Sequence, residues 1–343
     1  MDGTNDELQS EKPEVSTLDE NEKSLNKLET DRATFHFVAD WLSETKLLYV
    51  EKRNGFYLLN TFDFGTGEST TLYEDSSIII DVLVHPSKKT ILLHTSDNST
   101  SADIKLIGLD GIVQHEFSID SSELEIEWND IDPALILFTS FHQDWSFDIF
   151  LFDGNNEQFG LLPIDAPFPK WLGTNKIITQ EVEGHSLDGG KLHVYDYTYE
   201  SWDEWDVSGV IYIDTFKDSA LIGQLDDQGN INYSIMGSNK EIRSQWTMAA
   251  VSNYSEWVFT EIDWLTENKV IMTGPEKGGL LDELDEPYQL IQVVDGQREV
   301  LRNESVAGKL RCSPMGDRCL TGYEGEKLID IESKKETEWL IFS

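Results

Sequence analysis

Residues 78–119 read IIIDVLV (78–84), TILLHTS (90–96), DIKLIGL (103–109) and VQHEFSI (113–119). Each run is rich in β-branched or aromatic residues, and turn residues separate them: His85-Pro86-Ser87-Lys88-Lys89, then 97–101, then Asp110-Gly111. Short apolar runs bounded by such turns are strands, and four in a row make one antiparallel unit. The next stretch repeats the order with LEIEW (124–128), ALILF (134–138), FDIFLF (147–152) and FGLLPI (159–164), and Asp153-Gly154 takes the place of Asp110-Gly111. Outward from this pair the same grouping starts near residues 35, 168, 210, 256 and 309.

A period of about 40–50 residues with four strands in each unit is the mark of a β-propeller. One blade cannot cover its own two faces, so it needs a neighbour on each side, and closing the ring supplies both. The fold expected is therefore all-β, a propeller of four-stranded antiparallel blades. Seven units share residues 34–343 at about 44 residues each, whereas six blades would need about 51. Ahead of this single domain, residues 1–33 hold many Glu, Asp, Ser, Asn and Lys and no aromatic side chain. Such a stretch buries too little apolar surface to offset its ordering entropy, so it is expected as a disordered acidic tether.

Charge bounds the partners. The 343 residues carry 26 Lys plus Arg against 65 Asp plus Glu, a formal charge of −39. A field of that sign repels nucleic-acid phosphate and an anionic membrane surface. No apolar run approaches the ~20 residues of a membrane-spanning helix, and no export signal is read in the chain as it stands.

Residues 85–178 resemble the YqgU-like β-propeller family of Bacillus-type bacterial lipoproteins. The likeness rests on HPSKKTILLHTS (85–96), SSELEIEWN (121–129), FTSFHQDWSFDIFLFD (138–153) and PFPKWLG (167–173), with RCSPMGDRCLTGYEGEKLIDI (311–331) near the C-terminus. Where the family has a Ser-Pro-Asp-Gly turn, this chain has His85-Pro86-Ser87-Lys88 and Ser313-Pro314-Met315-Gly316, a change expected to affect a turn and not a site. The resemblance implies six blades, the alternative to seven. It also implies an extracytoplasmic protein at the outer face of the cell membrane, lipid-tethered through its precursor, with no assigned activity. In that compartment Cys312 and Cys319 are expected as a disulfide, and in a reducing one they would be free thiols.

Chemistry-bearing motifs are few. The seven histidines form no HxH or HxxxH pair, and neither they nor the cysteines complete a metal site, so no metal and no cofactor are expected. Gly184 to Gly189 lacks the spacing of a nucleophile elbow. Asp226-Asp227-Gln228-Gly229-Asn230 reads as a hairpin turn, because the alternate acidic ligands of a calcium loop are missing. The acidic stretch 274–287 reads as a solvated loop.

Loops between second and third strands exceed hairpin length, and long loops on a rigid scaffold are where binding concentrates. In one of them His142, Asp144 and Trp145 set an imidazole, an acid and an indole on one face, and an indole offers large contact area with an N–H handle. These three are the candidate binding residues, for a protein or glycan partner at the loop face. The function expected is a non-catalytic binding or scaffolding module acting as a monomer. The alternative is a glycan-type hydrolase with a carboxylate pair in the central channel, ~5–5.5 or ~6.5–9.5 Å apart.

Overall fold

The structure is a computed structural model that describes residues 25–343 except 183, 285 and 286. Among these residues the strands form seven four-stranded antiparallel units, spanning 35–75, 78–120, 123–161, 170–205, 210–249, 262–305 and 311–338. The fourth and fifth units share one long strand, Ser201–Phe216. Its first part pairs with Gly190–Asp196 and its last part with Ser219–Leu225. The sequence reads two runs here. They are continuous because Gly209, at φ +66°, bends the chain from one blade into the next without a loop.

Second strands read as unbroken apolar runs because both of their faces are covered. In the third blade Leu135 and Leu137 pack toward the fourth blade, and Ile136 and Phe138 toward the second. The same alternation gives seven apolar clusters, one at each junction between neighbouring blades. The seventh closes the ring, setting Tyr49 and Phe62 of the first blade against Leu320 and Trp339 of the last.

The N-terminal boundary differs from the expectation. Residues 1–24 lie outside the described residues, but Leu28–Thr30 is a strand, parallel to Leu340–Phe342. Leu28 is buried in the closing cluster, and the Thr30 hydroxyl donates to the buried Glu51 carboxylate at 2.6 Å. Three residues carry too weak a pattern to read as a strand alone. Their order comes from pairing with the far end of the chain.

Strand order gives the disc two faces. Turns from first to second and from third to fourth strands lie on one, here the turn face. Loops from second to third strands and the links between blades lie on the other, the loop face.

Candidate functional site at the channel mouth

The first strand of each blade runs beside the axis and ends at the turn face. These ends enclose a cavity of about 400 Å³, walled by Asp40, Lys88, Asp130, Asp214, Asp263 and Arg311. Each comes from a different blade.

Hydrogen bonds join every blade to the next around this mouth. Lys88 Nζ donates to the Trp41 carbonyl at 2.9 Å. His85 Nε2 donates to the Asn129 carbonyl at 2.8 Å, and Asn129 Nδ2 to the Gly173 carbonyl at 2.9 Å. The Gly173 amide donates to the Lys217 carbonyl at 2.7 Å. The Trp264 indole donates to Asp214 Oδ2 at 2.9 Å, the Cys312 amide donates to Asp263 Oδ2, and the Trp41 indole donates to the Arg311 carbonyl at 3.0 Å. Deeper in the channel Lys170 pairs with Glu127 at 2.7 Å, and Arg311 with Glu261 at 2.6 Å.

The field inside follows from this crowding. Asp263 is pushed up from 3.8 to about 7 by burial, and by the charge of Asp40, against the pull of Arg311 and the Cys312 amide. Asp130 reaches about 7 in the same way, with Glu127 and Asp214 adding repulsion against the Lys217 amide. Glu127 is raised by burial, while Lys170 is raised chiefly by Glu127. Burial disfavours the charge of Arg311, but Glu261, Asp263, Asp40 and Asp81 outweigh it and raise its pKa.

Lys88 shows why the mouth was hidden in the sequence. It stands at φ +56°, where the matching turn of the last blade has Gly316 at φ +73°. A side chain there costs about 1–2 kcal/mol relative to glycine. In return the ammonium reaches the first blade, bonding Trp41 and lying 3.7 Å from Asp40. The departure from Ser-Pro-Asp-Gly therefore reaches the site as well as the turn.

His142, Asp144 and Trp145 lie on the loop face, opposite the mouth, in a tight turn where the His142 amide donates to the Ser146 carbonyl and the Trp145 amide to the His142 carbonyl. Asp144 accepts from the Ser146 amide and hydroxyl, which lowers its pKa, and His142 Nε2 lies 3.0 Å from Asp148 Oδ2. Trp145 is 78% exposed at φ +66°. Asp226 accepts from the Gln228 and Asn230 amides in the expected hairpin turn. Two acids of the 274–287 stretch, Asp285 and Glu286, lie outside the described residues. Among the described residues, no three His, Cys, Asp or Glu side chains are placed to hold one metal ion.

Cys312 and Cys319 are cross-strand partners bonded through their sulfurs, with Cα atoms 3.9 Å apart. The bond sits directly behind the amide that meets Asp263.

Comparison with known proteins agrees with the propeller fold. An uncharacterized lipoprotein, YqgU, of Bacillus subtilis (strain 168) is 23% identical over 305 residues, covering 88% of this chain and 83% of that protein. The crystal structure of the uncharacterized protein lmo1340 from Listeria monocytogenes EGD-e superposes with a TM-score of 0.84 at 18% identity, over 93% of this chain and 98% of that one. The β-propeller domain of the Trilobed protease from Pyrococcus furiosus shares the fold at a TM-score of 0.57 and 12% identity, over 89% of this chain and 95% of that domain. Residues 63–322 match the family described as the YqgU-like 6-bladed beta propeller domain. That description names one blade fewer than the seven units found here. The matched stretch begins inside the first unit and ends inside the last. Covering most of the chain, the match makes this protein a member of the YqgU-like β-propeller family.

Proposed function

We propose that this protein is an extracytoplasmic, lipid-tethered propeller that binds a ligand at the channel mouth and releases it unchanged. The single observation carrying the non-catalytic half is the use of the channel acids. Asp214, Asp263, Glu127 and Glu261 each hold a neighbouring blade or a partner cation. Such acids commit at least one oxygen each to a latch or an ion pair, whereas the proton donor and the nucleophile of a hydrolase turn unengaged carboxyl groups to the substrate. The binding half rests on a concave polar cavity on a rigid scaffold. The tether and the location are supported by the name of the Bacillus subtilis relative, a lipoprotein.

The test is turnover. Chromogenic glycosides and esters incubated with the protein are expected to be recovered intact. Hydrolysis that disappears in Asp130→Asn or Asp263→Asn would establish the hydrolase instead.

Trp145 favours a second contact, for a protein or glycan at the loop face. A bulky residue held exposed in the left-handed region is a costly arrangement of the kind found at contact sites. Trp145→Ala is expected to weaken such a partner's binding without affecting ligands of the mouth.

A further inference from the structure

The wall of the mouth is asymmetric in what it leaves open. Asp130, Asp214 and Asp263 each give one oxygen, Oδ2, to the protein: to the Lys217 amide at 3.0 Å, the Trp264 indole and the Cys312 amide. Their Oδ1 atoms have no partner among the described residues. Of the cations around them, Lys88 bonds the Trp41 carbonyl, Arg311 turns Nη1 to Glu261 and the Leu310 carbonyl, and the Lys217 ammonium lies against the Phe216 ring. A cavity whose open carboxylate oxygens receive no hydrogen bond from these cations suits a ligand that brings donors.

Beside these oxygens Phe216 and Trp264 stack, with ring centroids 5.9 Å apart. The Lys217 ammonium lies over the Phe216 ring at 4.9 Å, so this aromatic platform already attracts a cation of the protein itself. The carboxylates stand on separate blades, and among the described residues no three acidic or imidazole groups converge as ligands of one metal ion. Acceptors spread along a wall match an elongated organic cation better than a point charge. The overall charge of −39 raises the local concentration of any cation.

We propose that the mouth binds an organic cation, placing a primary ammonium or guanidinium group among the free oxygens of Asp130, Asp214 and Asp263 with its carbon chain against Phe216 and Trp264. This rests on the reading of the mouth as a binding site. The charged groups facing Asp263 are Arg311, Asp40 and Lys88, and those facing Asp130 are Glu127, Asp214 and Lys217. With two of the three acids titrating near 7, the cation binds more weakly at pH 6 than at pH 8, by about tenfold if each acid contributes a few-fold.

The cation has two sources, a free small amine or a Lys or Arg side chain of a peptide. The experiment follows the Trp264 indole N–H signal by NMR at 150 mM salt, where weak surface attraction is screened. The probes are butylamine, an acetylated and amidated Gly-Lys-Gly peptide, and neutral methyl glucoside. A saturable shift with both cations supports the free-amine source, and a shift with the peptide alone supports a side chain. In either case Asp130→Asn/Asp263→Asn weakens binding at least tenfold, while Asp97→Asn/Asp282→Asn, on the loop face, leaves it unchanged. No shift with either cation, or equal loss in both double variants, overturns the proposal. A shift with methyl glucoside alone overturns it too, yet leaves the mouth a binding site.

Discussion

Asp263 shows how one residue ties stability to pH. Its folded-state pKa of about 7 lies above the ordinary 3.8. Between these values the folded protein keeps a proton that the unfolded chain gives up. Stability therefore falls as pH rises from about 4 to 7, and is flat above. Asp130 adds a slope of the same sign. Asp263→Asn removes the titration yet keeps an acceptor for the Cys312 amide. Its melting temperature is expected to gain on the native protein from pH 5 to pH 7, by the equivalent of about 1–2 kcal/mol. A dry interior would give more, but the carboxylate is only half-buried and lines a cavity open to solvent. A gain that is the same at every pH, or that grows toward acid, would contradict this charge arrangement. None of it is legible in sequence. Asp40, Lys88, Asp130, Asp214, Asp263 and Arg311 span positions 40 to 311, and only ring closure brings them together. The exposed place of Trp145 in a loop-face turn was legible because the turn signal is local.

At the scale of elements, local pattern and remote pairing part company. The four strands of 78–120 and of 123–161 follow their sequence runs closely, since β-rich runs and turn residues are both local signals. The sixth blade begins at Ile262–Thr266, later than the Glu256 region suggests, because 251–252 first pairs with 279–280 on the loop face. The last blade's channel strand is only Arg311–Cys312. So short a strand makes few ladder bonds, and the link to Cys319 staples it to the strand behind. Closing a loop of seven residues' separation removes chain entropy worth about 2.5 kcal/mol from the unfolded state. Cys312→Ser/Cys319→Ser is expected to lower stability by about 2 kcal/mol and to speed amide exchange at position 312, measured by denaturant unfolding and hydrogen exchange. If reductant leaves the native protein's unfolding midpoint unchanged, the staple contributes nothing.

The whole molecule adds an orientation. Asn26 meets the turn face, its side-chain amide donating to the Phe64 and Gly65 carbonyls at 2.9 and 3.1 Å. The chain then runs across the disc edge as Leu28–Thr30 and reaches the loop face, where Arg32 pairs with Glu324. The segment that completes the ring thus enters from the side of the mouth. With a lipid tether upstream of it, as proposed, the mouth is expected to face the anchoring surface more often than the loop face, which carries Trp145. Cysteine placed at Tyr254 on the loop face, 71% exposed, and at Ile131 on the turn face, 42% exposed, reads this out. On intact cells a bulky, membrane-impermeant maleimide is expected to label position 254 several-fold faster than position 131, a bias that shrinks once the protein is detached. Equal labelling on cells would mean that the tether lets the disc turn freely. Faster labelling at 131 would mean that the mouth faces outward, and its ligand would then come from the medium.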